Sequence, residues 1–319
     1  MAIEQACVRV VRKPWGSTDL LPWRTIAPLD GAVGELWFER ADPSAPETAL
    51  LLKLLFTTQP LSIQVHPDDA FARTLGQEHG KSEAWYILSA QPGAQVAVGL
   101  NGPLTPSQLR TAIEDRSIAA RVQWRDVLKG DVVCVPAGTI HAIGAGLVIA
   151  EIQQRSDVTF RLFDYGRSRE LHAEQAVAAT HMAPLGPQAA PRALGNGRTL
   201  LAVTPHFVIE RLDLAPSVDW SLDAPHETWM LMLEGSACVA GLDVTVGGAL
   251  FLQGECAPVR AGGRGAKALV AYAADVPHPD LLAAGELPAV PTRAAGFAAP
   301  TQLFPSRADS SFRASEMRP

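Results

Sequence analysis

The sequence predicts a mainly β protein made of two barrel-like lobes with short helical insertions. Short apolar segments such as VGELWFER, LLLKLLF and GDVVCV are separated by turns rich in Gly and Pro, a spacing typical of sandwiches and barrels. Hydrophobic residues make up 47% of the 319 residues, which is enough for a large core or two ordinary ones. The strand pattern of the first half also recurs in the second.

The recurrence is seen in two pairs of segments. Residues 227–233, ETWMLML, resemble residues 83–88, EAWYIL, and residues 248–252, GALFL, resemble residues 130–134, GDVVC. Aligning the glycines places Val259 where the first half has His141, and the strand before Glu227 contains no Gln-x-His. We therefore expect the second half to repeat the fold without the polar residues of the first, and we interpret His226-Glu227 as ordinary residues.

These patterns predict four regions along the chain. Residues 1–181 form the N-terminal lobe, which contains all of the candidate site residues named below. Residues 182–197, rich in Pro, Gly and Ala, form a linker. Residues 198–280 form a C-terminal lobe that lacks those residues and packs against the first for stability. Residues 281–319 form a poorly ordered tail, because Pro, Ala, Ser and Arg dominate it.

Composition argues against several kinds of partner. The net charge is -6 and no run of Lys or Arg occurs, which argues against nucleic acid. The N-terminus lacks a signal-peptide pattern and no segment reaches transmembrane length, so we expect no membrane association. Four scattered cysteines without a CxxC pair predict a reduced, cytoplasmic protein. The oligomeric state is left open.

Two segments contain residues that suit a divalent metal ion. Gln64 and His66 alternate along an apolar run and would project from one face of a strand. After a short predicted helix, AFARTLGQE, the strand SEAWYIL places Glu83 on one face. A third strand ends in the turn 136–138, which presents His141. Two imidazoles, a carboxylate and an amide oxygen on converging strands form a plausible ligand set.

The pattern G-x5-P-x-G-x2-H, from Gly130 to His141, resembles the second motif of cupin barrels. The asparagine usual four residues after the histidine is absent, and Ala145 occupies that position. The first cupin motif normally has His-x-His closely followed by Glu. Here it is Gln64-Val65-His66, and Glu83 is delayed by the helical insertion.

With this modified first motif, the sequence resembles type I mannose-6-phosphate isomerase, in the short bacterial branch of that family. The matching segments are QPLSIQVHPDD, GKSEAWY, VPAGTIHAIG, EIQQRSDVTFRLFDYGR and RELH. The similarity runs from about residue 10 to 275 and is most specific between 59 and 172. It implies two cupin-like jelly-roll lobes and one Zn2+ per chain, held by Gln64, His66, Glu83 and His141. It also implies a small sugar phosphate as substrate: mannose 6-phosphate and fructose 6-phosphate are interconverted through an enediol.

Two cationic residues are candidates for catalysis and substrate binding. Lys81 lies two residues before Glu83, so strand parity directs it to the same cavity. It would bind phosphate or hydroxyl groups, or transfer a proton if a cationic neighbour lowered its pKa. Arg161 matches the family's active-site arginine, where it would bind phosphate or stabilise an enediolate. The alternatives are a solvated surface lysine and an arginine paired with Asp164 or Glu151.

The proton-transfer base is left open by the sequence. Longer members of the family carry a histidine immediately before the equivalent of Lys81, whereas this chain has Gly80 there and His79 one residue earlier. Asp68 and Asp69 offer carboxylates, although capping the short helix explains at least one of them.

Four other functions fit parts of the same pattern. They are an isomerase or epimerase of another sugar, an iron-dependent cupin oxygenase, a non-catalytic sugar-binding cupin and a purely structural zinc site. A fourth ligand at Gln64 disfavours the oxygenase, which uses a facial triad of two histidines and one carboxylate. Retention of both Lys81 and Arg161 disfavours a binding protein without turnover.

Overall fold

The computed structural model describes residues 2–23, 31–216 and 218–285. The predicted fold class is confirmed: the described residues form mainly antiparallel β sheets in two lobes, with three α-helices in the N-terminal lobe. Most of the predicted tail, residues 286–319, lies outside the described residues. No helix in the described ranges is both long and apolar enough to cross a membrane.

The N-terminal lobe consists of two facing sheets. Its strands are β2 (Cys7–Val11), β3 (Glu35–Glu39), β4 (Leu50–Thr57), β5 (Ile63–Val65), β6 (Glu83–Ala90), β7 (Gln95–Leu100), β8 (Val122–Asp126), β9 (Val132–Val135), β10 (His141–Ile143), β11 (Leu147–Gln154) and β12 (Phe160–Phe163). One sheet has the order β2-β3-β4-β11-β6-β9 and the other β12-β5-β10-β7-β8. A shared apolar cluster, including Trp85, Val96 and Ile149, fills the space between them.

The helices lie on the outer side of the five-stranded sheet. They are α1 (Asp69–Thr74), α2 (Pro106–Glu114) and α3 (Ala173–Ala179). At the start of α2, Thr105 and Gln108 form a capping box, with Pro106 in the first turn. α2 ends at Glu114, and Asp115 is its C-cap. Arg116 has a φ of 66° and is followed by a 3-10 turn, Ser117–Ala120.

The C-terminal lobe is a single ten-stranded sheet system. Its strands are β1 (Ala2–Gln5), β13 (Arg192–Gly195), β14 (Arg198–Val203), β15 (Val208–Leu214), β16 (Asp219–Ala224), β17 (Thr228–Val239), β18 (Leu242–Thr245), β19 (Ala249–Gln253), β20 (Glu255–Tyr272) and β21 (Leu282–Ala284). Apolar residues such as Trp220, Met232 and Leu252 fill its interior. The first lobe differs in that buried polar side chains, among them Lys53, Glu83 and Glu151, accompany its apolar cluster.

Three strands of this lobe lie outside the predicted range 198–280. β1 comes from the N-terminus and pairs with β19, β13 comes from the predicted linker and pairs with β14, and β21 pairs with β16 at the start of the predicted tail. Each depends on a partner strand that its own sequence does not reveal. The C-terminal sheet therefore includes residues from both ends of the described chain.

The two lobes share a hydrophobic interface. Along β4, Leu50, Leu52 and Leu54 face the second lobe, where they belong to one cluster with Trp229 and Phe251. The alternate residues of β4 face the interior of the first lobe. Both faces of the strand are therefore buried, which explains its nearly continuous apolar sequence.

Candidate metal centre

The five-stranded sheet places three of the predicted site residues in one row. In the antiparallel register, Gln64 on β5 lies opposite His141 on β10 and opposite Arg161 on β12. Directly opposed residues project to the same face of a sheet. Gln64 therefore lies between the histidine and the arginine, facing the interior of the lobe.

His66, Glu83 and His141 come together where the two sheets face each other. Their potential ligand atoms all lie within 4.8 Å of one another. Nε2 of His66 is 3.4 Å from one oxygen of Glu83, and Nε2 of His141 is 3.4 Å from the other. The three side chains are at most 2% exposed. This is the only such group of three or more His, Cys, Asp or Glu residues in the described ranges.

Both imidazoles are oriented by backbone carbonyl groups. Nδ1 of His66 is 2.8 Å from the carbonyl oxygen of Val158, and Nδ1 of His141 is 2.8 Å from that of Thr139. A carbonyl oxygen can only accept, so Nδ1 carries the proton in each ring and Nε2 offers a lone pair to the cluster. This is the arrangement usual for histidines that bind metal ions.

Unsatisfied buried atoms support a metal site. Within the described chain, Nε2 of His66 and Oε2 of Glu83 are buried and have no hydrogen-bond partner. Leaving such atoms unpaired costs free energy. A divalent cation between the imidazoles and the carboxylate would satisfy both atoms, so the residues present fit the ion implied by the resemblance.

Gln64 lies at the edge of this cluster. Its Oε1 accepts a hydrogen bond from Ser62 at 3.0 Å, and its Nε2 lies 3.3 Å from Nε2 of His141. The two ends of an amide are interchangeable by a rotation of 180°. That rotation would direct Oε1 towards the histidines, as a metal ligand requires.

Burial and neighbouring charges set the protonation states of the cluster. Burial, with a contribution from Lys81, lowers the pKa of His66 to about 3. Burial likewise lowers the pKa of His141. Burial would raise the pKa of Glu83, but Lys81 and the two histidines outweigh it and hold that pKa well below its usual range. Near neutral pH the site therefore offers two neutral imidazoles and a carboxylate, the forms that bind metal ions.

Lys81 is directed into the site, as strand parity predicted. Its Nζ lies 3.5 Å from Oε2 of Glu83, and its side chain is 6% exposed. The alternative of a solvated surface lysine is therefore wrong. Burial would lower the pKa of Lys81, but Glu83 and Glu151 outweigh it and raise that pKa. Lys81 is thus a protonated donor, whereas the depressed pKa considered for proton transfer is not found.

Arg161 does not form either of the ion pairs considered for it. Asp164 is bound instead by Arg167 and Arg169, at 3.0 and 2.5 Å, and Glu151 by Lys53. Nε of Arg161 is buried without a hydrogen-bond partner among the described residues. The guanidinium therefore has donor capacity available beside Gln64.

The carboxylates considered as bases have structural partners. Oδ1 of Asp68 caps α1 by accepting from the backbone N–H of Phe71. Oδ1 of Asp69 accepts from the backbone N–H of Gly80 and from Gln154. The half-exposed His79 lies in the loop before Lys81, with Nε2 3.7 Å from a carboxylate oxygen of Glu78.

A buried polar row beside the cluster was missed by the sequence analysis. On the interior face of the six-stranded sheet, Lys53 on β4 lies opposite Glu151 on β11, which lies opposite Trp85 on β6. Nζ of Lys53 is 3.3 Å from Glu151 and 2.6 Å from Oε1 of Gln153. The available signal was a single charged residue within each of two apolar strands, LLLKLLF and GLVIAEI.

An open cavity of about 670 Å³ lies between the strands β3 and β4 and the loop that precedes Lys81. It is lined by loop residues 76–79, by Asp157 and by Leu51. Leu51 lies opposite Gln153, which in turn lies opposite Glu83. Leu51 thus links the cavity to the sheet row that contains Glu83, although none of the six candidate site residues is among those that line it.

The fold and the site together define a two-lobed cupin-type protein with a buried His₂Glu cluster in one lobe. No family model matches the chain. It is 36% identical over 191 residues to a mannose-6-phosphate isomerase of Streptococcus mutans, covering 56% of this chain and 58% of the relative. It is 41% identical over 141 residues to mannose-6-phosphate isomerase ManA of Bacillus subtilis, covering 40% and 42%. The predicted resemblance to these isomerases is confirmed, and the matches span about half the length of the relatives.

A solved structure extends the comparison over most of the chain. The mannose 6-phosphate isomerase of Bacillus subtilis matches with a TM-score of 0.74 at 23% identity, covering 85% of this chain and 100% of the other. At this identity the similarity is one of fold. The two-lobed architecture is therefore shared by both proteins.

Proposed function

We propose that this protein is a metal-dependent aldose–ketose isomerase that interconverts mannose 6-phosphate and fructose 6-phosphate. The main observation in its favour is the buried cluster of His66, Glu83 and His141 with Lys81 in contact and Arg161 in the adjoining row. The names of the relatives supply the substrate. Our expectation of a reduced, cytoplasmic setting rests on the scattered spacing of the four cysteines, which form no CxxC pair.

In this proposal one Zn2+ per chain is held by Gln64, His66, Glu83 and His141. Two imidazoles with oxygen ligands suit zinc, and a thiol-free set with an amide favours a catalytic site over a structural one. When bound, zinc would supply Lewis-acid polarisation of the substrate oxygens. The carbonyl groups of Val158 and Thr139 would keep both imidazoles in the tautomer that leaves Nε2 free.

Lys81 and Arg161 supply the positive charge that the reaction requires. Moving a proton between C2 and C1 passes through an enediol, whose oxygens gain negative charge as the proton leaves. The protonated Lys81, held by Glu83, donates hydrogen bonds to a substrate oxygen at the metal site. Arg161 offers a planar, permanently charged donor to the enediolate or to the phosphate. Trp85, which packs edge-on at 5.6 Å from the ring of His141, excludes water from the histidine.

A coupled assay for fructose 6-phosphate formed from mannose 6-phosphate tests this proposal. The zinc-loaded protein should turn over mannose 6-phosphate in preference to other phosphorylated and unphosphorylated aldoses. If a different sugar is turned over instead, the proposed substrate is wrong and the proposed type of reaction stands. Folded, zinc-loaded protein that turns over none of them would refute the proposal and favour a sugar-binding protein.

A further inference from the structure

Asp69, Ser82 and Gln154 form a hydrogen-bonded clasp behind the metal cluster. Oε1 of Gln154 accepts from the backbone N–H of Ser82 at 2.9 Å, and its Nε2 donates to Oδ1 of Asp69 at 2.9 Å. The same Asp69 oxygen accepts from the backbone N–H of Gly80 at 2.7 Å. The backbone N–H of Gln154 also donates to the carbonyl oxygen of Ser82 at 3.0 Å. Lys81 is therefore flanked on both sides by residues that the clasp holds.

The clasp ties together the segments that follow His66 and precede Glu83. The backbone N–H of Lys81 donates to the carbonyl oxygen of Pro67 at 3.0 Å. A Cβ atom at Gly80 would lie 2.5 Å from the carbonyl carbon of Asp68, so only glycine fits this close approach. The two segments are consequently packed backbone to backbone.

The third ligand segment is attached to the same structure. Oγ of Ser82 accepts a hydrogen bond from the backbone N–H of Ala137 at 3.2 Å. The carbonyl oxygen of His66 accepts one from the backbone N–H of Gly138 at 2.8 Å. Residues 136–138 form the turn that leads to His141. All three segments that carry the cluster thus meet at the clasp. Gln154 is 4% exposed and Ser82 is 7% exposed, so water competes little for these bonds.

We propose that Gln154 and Asp69 are positioning residues that set Lys81 and Glu83 relative to His66. Glu83 belongs to β6 and is held by the sheet, whereas Lys81 precedes the strand. The backbone of Lys81 therefore depends on the clasp and on Pro67. The contribution to turnover rests on the proposed isomerase function, but the contribution to metal binding does not.

The geometry also defines what Asp69 contributes. Its Oδ1 accepts two hydrogen bonds, so the role requires an acceptor rather than a charge. An asparagine can present the same oxygen, whereas an alanine leaves the N–H of Gly80 and Nε2 of Gln154 without a partner. Asp69→Asn should therefore retain the function that Asp69→Ala loses.

The test compares Gln154→Met with Gln188→Met in the full chain. Gln188 is a matched control, because its side-chain amide also makes two hydrogen bonds, both to the backbone of Cys134 at the edge strand β9. Zinc dissociation constants come from competition with a chromogenic chelator, and kcat and KM from the coupled assay. We expect Gln154→Met to weaken zinc binding by about 10- to 100-fold and to lower kcat as well. Gln188→Met should stay within about 2-fold of the unmodified protein.

Equal zinc affinity and kcat in the two methionine variants would overturn the proposal. If Gln154→Met fails to fold, the pair Asp69→Asn and Asp69→Ala decides instead, and identical zinc affinity and kcat in that pair would also overturn it. Should the unmodified protein bind zinc without isomerising mannose 6-phosphate, the proposed function fails. The zinc affinities would then still test the role of the clasp.

Discussion

Replacing Lys81 with methionine removes a buried positive charge next to the metal ligand Glu83. Nζ of Lys81 is 3.5 Å from Oε2 of Glu83, and both side chains are at most 6% exposed. At an effective dielectric constant of about 20, two unit charges at this distance attract by roughly 5 kcal/mol. Breaking a buried ion pair by removing one partner typically costs about 3–5 kcal/mol. The two figures agree on the size of the effect for metal-free protein.

Zinc should reverse this destabilisation. A bound divalent cation neutralises Glu83 in place of Lys81, and the variant no longer has a positive charge that repels the metal. We therefore expect chelated Lys81→Met to unfold roughly 6–10 °C below the chelated unmodified protein. Saturating zinc should raise its Tm by more than it raises that of the unmodified protein. Isomerase activity should nevertheless be lost, because the donor to the substrate is gone.

Differential scanning fluorimetry with and without zinc measures this difference. Lys129→Met is the control, since Lys129 pairs with Glu234 at a similar distance of 3.3 Å but both side chains are exposed. Such a surface pair contributes at most about 1 kcal/mol. If the two variants show the same Tm and the same response to zinc, Lys81 is not the charge partner of Glu83. Retention of most activity would show that Lys81 is not essential.

Three further predictions concern residues around the site and between the lobes. Arg161→Lys should lower kcat by about 100-fold at unchanged zinc content and Tm, because it removes a planar donor that forms no ion pair with any described acidic residue. An unchanged kcat would contradict the role of Arg161 as a donor to the substrate. Burial would raise the pKa of Asp164, but Arg169 and Arg167 outweigh it and lower that pKa. The ion pairs of Asp164 therefore stabilise the folded protein at any pH above the pKa of an aspartate in the unfolded chain, which is about 4. This stabilisation is lost as the pH falls below that value, because Asp164 becomes protonated. Asp164→Asn should cost about 2 kcal/mol in urea unfolding at pH 7, and a penalty that persisted at pH 2.5 would refute this. The carboxylate of Glu227 accepts hydrogen bonds from two backbone N–H groups at the start of β4, at 2.6 and 2.8 Å. Glu227→Gln should therefore destabilise the chain by about 1–3 kcal/mol without changing its affinity for zinc. An unchanged midpoint of urea unfolding would contradict this prediction.

Local patterns in the sequence predicted the orientation of side chains but not their long-range partners. The alternation around Gln64, His66 and Glu83 is a property of single strands and could be read directly. The opposition of Arg161, Gln64 and His141 required the register of three strands, of which β12 is distant in sequence from β5. The family resemblance supplied Arg161 instead.

The parts that could not be predicted depend on pairing between distant segments. β1, for example, pairs with β19, and Ala2 lies opposite Gln253. Glu227 was interpreted as an ordinary residue at the position equivalent to Glu83. In the structure its carboxylate binds the backbone of Ala49 and Leu50 in the other lobe. Sequence similarity between the lobes identified the equivalent position, whereas its new contact is visible only in three dimensions.

The central claim is that the cluster of His66, Glu83 and His141 holds a metal ion required for isomerisation. The most direct measurement removes metal with a chelator and then titrates zinc back while the formation of fructose 6-phosphate is followed. We predict that activity falls to background and returns in proportion to added zinc, reaching its maximum at one ion per chain. His141→Ala should stay inactive at the same zinc concentrations. Full activity in metal-free protein, or in the variant, would contradict the account.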